Sequence, residues 1–386
     1  MSQIDPKREA STRLTRLLGE MERHSLDAAI ITAPKNVYYF TGASAPSLLT
    51  LVPSNTLPKY LLVFGDGRTV MLTSQRDKEN AVAAFSGTVA SYTNYDLQTH
   101  MVPNPEYIAS EVKRLFGAEA SSIKRIGIES WIIPQALLNT IVQSSDVRVH
   151  DLSTSISRMR AVKDQDELRA IRAGSELSDF AYSVARSASK PGESEVDVYA
   201  TVLGEVARKV GSYQFLAGDF ASGERSLKVG GPPTRREMKK GETIIVDLWL
   251  TTRGYWSDTC RTFVIGGKPS ERQLKLLELL KKAMLAGEEK LRPGEKAADV
   301  YKAVFSVIAA AGLGDMFPHH AGHGIGLDDW ESPFLIPASN EILERGMVCT
   351  LEPGAYVPGV GGIRIEHNYL IEDRSPTRLT KYPLDL

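Results

Sequence analysis

Two aspartates lie in the two arms of a predicted β-hairpin, and this pattern restricts the fold more than any other part of the sequence. Residues 243–263 read TIIVDLWLTTRGYWSDTCRTF, two apolar runs rich in β-branched and aromatic residues around a turn that contains a glycine. Asp247 lies in the first run and Asp258 in the second. A turn centred on Thr252 and Arg253 would place the aspartates directly opposite each other. A centre one residue further on would make them diagonal neighbours on the same face.

Two carboxylates side by side on an apolar hairpin repel each other unless a proton or a metal ion lies between them. An exposed hairpin with unrelated surface acids is the alternative. The downstream sequence favours a metal site, because His323, Glu352 and Glu366 lie in three short glycine-rich or apolar motifs, HHAGHGIG, TLEPG and GIRIE. A buried carboxylate without a partner costs roughly several kcal/mol. Four carboxylates and one imidazole form a ligand set for two divalent ions that share carboxylates as bridges.

This ordered set resembles the M24-type metallopeptidase family with the pita-bread fold. The family includes methionine aminopeptidase, aminopeptidase P, prolidase and the non-peptidase creatinase branch. The resemblance covers nearly the whole chain and implies an α/β N-terminal domain followed by an α+β pita-bread catalytic domain. The positions that match the five metal ligands of the family, in order and in motif context, are Asp247, Asp258, His323, Glu352 and Glu366.

The resemblance also implies a role for each ligand. Asp258 and Glu366 would bridge the two metals, and Asp247 would complete the sphere of one of them. His323 and Glu352 would complete the sphere of the other, and Glu352 would also move a proton during catalysis. Manganese or cobalt ions are expected, with zinc or iron as further options. The implied reaction is cleavage of a peptide C–N bond before proline, as in Xaa-Pro aminopeptidases and dipeptidases.

Two histidines that the peptidases carry beside the metals are replaced in this chain. The first position, 17 residues before the first aspartate ligand, is Gly230, and the second, seven residues after the histidine ligand, is Trp330. Lys228 and Arg225 are candidates to replace the first imidazole and to bind substrate. His319 matches the first histidine of the HxxxH pattern in prolidase and aminopeptidase P, so it is expected to contact substrate during catalysis.

Because both histidines are missing, a second function stays open. The protein would then be a hydrolase or lyase of a small non-peptide metabolite, in the manner of creatinase or ectoine hydrolase. A third is a non-catalytic binding module, against which the complete ligand set argues. Trp330 is expected either to line the substrate pocket or to lie in the core, and His320 to be structural. Arg364 shares a strand face with Glu366 and is expected to pair with a site carboxylate.

Composition makes several other classes unexpected. The chain has 386 residues and a formal net charge of −1, so neither nucleic acid nor an anionic membrane is expected as a partner. Cys260 and Cys349 lie in apolar runs and are expected to be buried and unpaired. The polar N-terminus has no apolar signal core, and no apolar run approaches the ~20 residues of a membrane span. A cytoplasmic protein is expected, and the resemblance implies a homodimer.

The order of predicted elements divides the chain into two domains. Strands alternate with helices over residues 1–155, which predicts an α/β domain, and residues 156–386 alternate helix pairs with hairpins. Within the first domain, the apolar run at residues 36–41 predicts a short strand. Ser194 and Ser270 each begin a capping-box pattern and predict helix starts in the second domain.

Overall fold

The chain divides into two compact units, Met1–Arg160 and Ala161–Leu386, in a computed structural model. They are called the N-terminal and C-terminal units below. The first unit ends within the helix Ser153–Ala161, and the predicted domain boundary at residues 155–156 lies in the same helix. The structure describes residues 6–43, 57–93, 104–142 and 146–386.

The N-terminal unit contains a mixed six-stranded sheet. Its strands are β1 (Ala28–Ile31), β2 (Tyr60–Phe64), β3 (Thr69–Ser74), β4 (Thr88–Tyr92), β5 (Arg125–Ile128) and β6 (Arg148–Asp151). Its helices are α1 (Pro6–Arg23), α2 (Pro34–Thr41), α3 (Lys78–Ala84), α4 (Pro105–Phe116), α5 (Gln135–Val142) and α6 (Ser153–Ala161). The strand order is β4-β3-β2-β1-β5-β6, with β1 parallel to β5 and antiparallel to β2. The central strands β1 and β2 are buried along their whole length, as expected for a sheet at the middle of an α/β layer.

The prediction of a strand at residues 36–41 is wrong, because this run belongs to helix α2. Pro34 occupies the first turn, where its fixed φ suits a helix and its missing N–H costs nothing. The buried carboxylate of Glu129 accepts hydrogen bonds from the backbone N–H groups of Thr32 and Ala33, at 2.5 and 2.8 Å. A tertiary contact therefore fixes the helix start, and local composition does not reveal it.

The C-terminal unit surrounds three small sheets with four helices. Its helices are α7 (Gln165–Ala188), α8 (Glu195–Val210), α9 (Glu271–Glu288) and α10 (Ala297–Ala310). Its strands are β7 (Leu216–Ser222), β8 (Thr243–Thr252), β9 (Tyr255–Val264), β10 (His323–Gly324), β11 (Glu331–Phe334), β12 (Val348–Leu351), β13 (Gly354–Val357), β14 (Gly361–Arg364), β15 (His367–Leu370) and β16 (Thr377–Arg378). The sheet orders are β7-β8-β9, β11-β10-β12-β15-β16 and β13-β14. Across the described parts of the chain, helices with the length and hydropathy of a membrane span are absent.

Strands β8 and β9 form the hairpin predicted from the sequence. Of the two registers that the sequence allowed, the structure has the diagonal one. Asp258 lies opposite Trp249, two residues along β8 from Asp247, so the aspartates are diagonal neighbours on one face. The directly opposite arrangement is wrong. The turn is centred on Arg253 and Gly254, which adopt φ values of +53° and +80°, as a tight two-residue hairpin turn requires.

Both predicted capping boxes are confirmed and fix helix starts in the C-terminal unit. The Ser194 hydroxyl accepts a hydrogen bond from the backbone N–H of Asp197, whose side chain accepts one from the Ser194 N–H in return. Ser270 and Gln273 form the same reciprocal pair at the start of α9. Each pair satisfies two backbone donors that would otherwise lack partners at a helix start.

A glycine allows α9 to approach the strand that leads to the predicted site. A Cβ atom at Gly287 would lie 2.7 Å from Val304 Cγ2 in α10 and 3.0 Å from Leu351 Cδ1 at the end of β12. Both distances are shorter than ordinary contacts between carbon atoms. The missing side chain therefore lets α9, α10 and β12 pack together immediately before Glu352.

We expect Gly287→Ala to lower the melting temperature of the protein, because overpacking a filled core costs about 1–3 kcal/mol. Gly204→Ala is the matched control. Gly204 also lies in a helix of the C-terminal unit, and a Cβ atom there would meet only the end of Arg208, at 3.7 Å. The control should raise the melting temperature, because alanine stabilises a helix over glycine by about 1 kcal/mol. Equal shifts of one sign in thermal unfolding would contradict the packing argument.

Candidate active site

The five residues predicted as metal ligands lie on different elements and come together in the C-terminal unit. Asp247 and Asp258 lie in β8 and β9, His323 in β10, Glu352 directly after β12, and Glu366 between β14 and β15. All five are buried, with exposures from 1 % to 7 %. Their ligand atoms fall into two adjacent groups. One group contains Asp247, Asp258 and Glu366, and the other contains His323, Glu352 and His320.

Backbone contacts between elements hold these side chains in place. The backbone N–H of Glu366 donates to the carbonyl of Cys260 at 3.1 Å, and that of Glu352 donates to the carbonyl of Ala321 at 2.9 Å. Gly322 lies so close to Thr350 that any Cβ atom would collide with its carbonyl. The glycine-rich segment therefore lies directly against the strand that leads to Glu352, as glycine permits.

The three-carboxylate group has more negative charge than its protein surroundings neutralise. Among the described residues, Asp247 Oδ1, Asp258 Oδ1 and both carboxylate oxygens of Glu366 are buried without a hydrogen-bond partner. Burial, followed by the charges of Asp247 and Glu352, raises the pKa of Asp258 well above its ordinary value. Burial and the charge of Asp258 do the same to the pKa of Glu366. Unpartnered buried oxygens of this kind fit a hard divalent cation.

The second group mixes nitrogen and oxygen atoms. His323 Nε2 lies 3.4 Å from Asp258 Oδ2 and 3.7 Å from Glu352 Oε1. Its Nδ1–H donates to the carbonyl of Gly324 at 3.0 Å. In the neutral ring the lone pair of Nε2 therefore points at two carboxylates, an arrangement that a cation between them would make favourable. The residues present thus fit two divalent ions.

A third aspartate, which the sequence analysis did not identify, lies beside the three-carboxylate group. Asp219 in β7 is directly opposite Asp247 in β8. The Arg364 guanidinium lies between them, with Nη2 at 3.0 Å from Asp219 Oδ2 and 2.5 Å from Asp247 Oδ2. The expectation that Arg364 pairs with a site carboxylate is confirmed. Burial still raises the pKa of Asp247 to about 6, against the lowering effect of Arg364.

The Asp219 carboxylate lies directly beside Gly230, the glycine that replaces the first peptidase histidine. A Cβ atom at Gly230 would collide with the Asp219 carboxylate. The neighbouring Val229 has a φ of +73°, which is strained for a β-branched residue, and its carbonyl accepts a hydrogen bond from Arg364 Nη1 at 2.8 Å. Asp219 thus occupies space that a larger residue at position 230 would need.

At the second replaced position, the Trp330 side chain packs against two imidazoles. Its ring centroid lies 5.0 Å from that of His323 and 4.8 Å from that of His320. Trp330 is 56 % exposed, so the core alternative is wrong. The ring instead forms an outer wall of the second group.

His319 belongs to a partly buried chain of hydrogen bonds. Its Nδ1–H donates to the carbonyl of His320 at 2.8 Å, so its Nε2 accepts from the Tyr356 hydroxyl, also at 2.8 Å. Burial lowers the pKa of His319 to about 4, so the ring is neutral near pH 7. Arg364 Nη1 lies 3.1 Å from the same Tyr356 oxygen and connects this chain to Asp247.

The two candidates for replacing the first imidazole differ in their surroundings. Arg225 forms an ion pair with the buried Glu195 and donates to the carbonyl of Pro232 at 2.8 Å. Its guanidinium is therefore held in a structural network. Lys228 is exposed at the end of a short 3-10 turn. The contacts described for Arg225 do not include any residue of the two ligand groups, and Lys228 belongs to neither group.

Comparison with known families places the chain in a class. Residues 169–373, slightly more than half of the sequence, match Metallopeptidase family M24, and residues 13–162 match the Creatinase/Prolidase N-terminal domain. The chain therefore belongs to metallopeptidase family M24. It has the α/β creatinase-type N-terminal domain and the α+β pita-bread domain that the sequence predicted.

Individual relatives cover the chain almost completely. An uncharacterized peptidase of Staphylococcus aureus is 28% identical over 377 residues, which are 96% of this chain and 99% of the relative. The prolidase of Pyrococcus horikoshii has 28% identity and a TM-score of 0.82 over 97% of this chain and 99% of its own. The Xaa-Pro dipeptidase of Bacillus anthracis has a TM-score of 0.83 over 98% and 99%, and at 24% identity it supports the fold alone.

We expect Asp258→Asn to raise the melting temperature of the metal-free protein, because it removes one of several like charges buried together. The same change should abolish the stabilisation that added Mn²⁺ gives the wild type, since a ligand raises stability only by binding the folded state. Glu289→Gln removes an equal charge from an exposed position and is the control. Thermal unfolding with chelator and with Mn²⁺ measures both effects. Full metal stabilisation of Asp258→Asn would contradict the assignment.

Proposed function

We propose that this member of the family is a dinuclear-metal hydrolase that cleaves a peptide C–N bond, with Xaa-Pro peptides as the first substrate class. One observation carries the proposal. Two adjacent groups of buried ligand atoms include four carboxylate oxygens that have no protein partner in the described part of the chain. Buried acids clustered in this way weaken the fold unless cations bind them, so a purely structural role does not account for them.

The proposed ligands are the five residues predicted from the sequence. Asp258 and Glu366 would be shared between two ions, Asp247 would complete one ligand sphere, and His323 and Glu352 would complete the other. Bound divalent ions supply a nucleophile at neutral pH by lowering the pKa of water. Manganese or cobalt is proposed from the abundance of carboxylates, with zinc or iron as further options.

The protein groups around the ions have distinct tasks in the proposed reaction. The Glu352 carboxylate would accept the proton that the attacking water gives up and would pass it to the leaving nitrogen. Burial alone would raise the pKa of Glu352, but the nearby imidazoles, His320 foremost, lower it, so the group is an anion ready to accept a proton. Arg364 holds Asp247 in place, and His319 lies beside the ligand groups as a substrate contact.

The substrate class is inferred from relatives. Among the solved structures that resemble this chain, a prolidase is 28% identical, which supports a substrate with proline after the scissile bond. A homodimer belongs to the same proposal, because the family resemblance implies one.

A second candidate function is the hydrolysis of a small non-peptide metabolite. Gly230 and Trp330 stand where the peptidases have histidines, and the Asp219 carboxylate fills the space beside Gly230. In the peptidases these imidazoles stabilise the reacting peptide group, and the loss of one such donor costs about 10²–10³ in rate. A substrate that does not need these donors would explain both replacements.

The proposal predicts that metal-loaded enzyme hydrolyses Xaa-Pro dipeptides or tripeptides, and that Glu352→Gln lowers kcat by roughly 10²- to 10⁴-fold through loss of the proton carrier. Glu289→Gln should retain wild-type rates. Release of the N-terminal amino acid measures activity on both dipeptides and tripeptides, and metal content is determined for each variant. Turnover of Glu352→Gln at the wild-type rate with both ions bound would exclude the proposed role. Activity on small non-peptide amides alone would favour the second candidate.

Trp330→His separates the two candidate functions more sharply. Position 330 is half exposed and has room for an imidazole, whereas position 230 is blocked by Asp219. If peptides are the substrates, the new donor should raise kcat/KM for Xaa-Pro dipeptides by about 10- to 100-fold. Trp330→Phe keeps an aromatic wall without a donor and should show no gain. A gain in both variants would indicate a change of access instead of a restored hydrogen bond.

A further inference from the structure

His320 is the histidine to which neither the sequence analysis nor the family pattern gives a chemical role. Its Nε2 lies 2.9 Å from Glu352 Oε1, closer to that oxygen than the predicted ligand His323, whose Nε2 lies at 3.7 Å. The centroids of the two imidazole rings are 5.3 Å apart. A residue predicted to be structural thus points into the site.

The positions of the donor atoms allow one ion to contact three of these side chains. One ligand atom each from His320, His323 and Glu352 lies within 4.8 Å of the others. Two ligand atoms that each lie about 2.1 Å from a common ion are at most about 4.2 Å apart. Small movements of these side chains toward one another would therefore bring all three ligand atoms within reach of one ion. Such movement is available to His320, whose side chain is 19 % exposed, while that of His323 is 2 % exposed.

The surroundings of His320 aim its ring toward this group. Trp330 meets the imidazole edge to face, with 4.8 Å between ring centroids and an interplanar angle of 82°. Glu352 Oε1, which His320 contacts, also accepts a hydrogen bond from the Thr350 hydroxyl at 3.2 Å. Without a cation, His320 Nε2–H donates to this carboxylate. With a cation at Glu352, the same nitrogen can supply its lone pair instead.

We propose that His320 binds the ion that His323 and Glu352 hold, and this inference rests on the dinuclear centre proposed above. The ion at His323 and Glu352 would then have two imidazoles in addition to the shared carboxylates, while the ion at Asp247 would have carboxylates only. Imidazole ligands suit zinc, cobalt and iron, whereas carboxylates suit manganese and magnesium. The two halves therefore differ in metal preference, and a borderline ion such as Co²⁺ enters the half that contains His320 first.

The test is a Co²⁺ titration of the metal-free full-length protein. Visible absorption reports the ligand field, and competition with a chromophoric chelator gives the dissociation constants. His320→Gln should lower the affinity for one of the two Co²⁺ ions by about 10- to 100-fold, the range for changes close to a metal ligand. It should also alter the absorption bands that the first equivalent of Co²⁺ produces. His150→Gln, in the N-terminal unit, is the matched control and should reproduce the wild-type titration. Circular dichroism checks that each variant is folded.

A second variant keeps the test decisive if glutamine disturbs the loop. His320→Cys places a thiolate, a strong Co²⁺ and Zn²⁺ ligand, at the same position. Coordination there adds a thiolate-to-cobalt charge-transfer band that the wild type lacks, because neither Cys260 nor Cys349 belongs to the two ligand groups found among the described residues. Two ions bound with wild-type affinities and spectra in His320→Gln, and no new band in His320→Cys, would overturn the inference while leaving the dinuclear centre intact. A wild type that binds no Co²⁺ would overturn both.

Discussion

Mutual repulsion among buried carboxylates is the constraint on which the rest of the C-terminal unit depends. Asp258 and Glu366 are buried, and burial together with neighbouring acids raises the pKa of each. The protein neutralises only part of this negative charge. Arg364 lies between Asp219 and Asp247, but the Glu366 oxygens have no hydrogen-bond partner among the described residues. Such an arrangement is unfavourable for folding by itself. The surrounding packing fixes the backbone around these acids, and the cations proposed to bind there would make the arrangement favourable.

The packing that fixes the site comes from layers behind each ligand. Helix α7 supports the hairpin, where the Ser178 and Ser257 hydroxyl oxygens lie 3.0 Å apart and the Tyr182 hydroxyl donates to the Thr259 carbonyl. On the other side, Gly287 brings α9 against the end of β12, directly before Glu352. Ligands on separate strands can remain close only if these layers cannot relax apart, because local opening would let the like charges separate.

The sequence predicted most of this arrangement where the signal was local. Both capping boxes, the hairpin and the unpaired buried cysteines follow from short patterns, and they are found in the structure. The hairpin register was ambiguous because Arg253 can adopt a positive φ that composition alone would assign to glycine. The sequence contains no signal for Asp219, and it led to a structural interpretation of His320, for a different reason. Asp219 lies opposite Asp247, which is 28 positions away along the chain, and His320 lies in the segment whose family motif assigns the metal-ligand role to His323. Only the pairing of β7 with β8 and the placement of Glu352 reveal them.

The glycine at position 230, where the peptidases have a histidine, is physically linked to Asp219 and Arg364. The Asp219 carboxylate occupies the space that Gly230 leaves beside it, and Arg364 contacts both Asp219 and Asp247, which reduces the repulsion between the two facing carboxylates. A histidine at position 230 would displace Asp219 and thereby alter the hold of Arg364 on Asp247. On the opposite side, the Trp330 ring packs against the imidazoles of both His320 and His323, at the position where the peptidases have a histidine. With glycine at position 230 and tryptophan at position 330, fewer imidazole donors face a substrate carbonyl, while the His320 imidazole lies within reach of the group formed by His323 and Glu352.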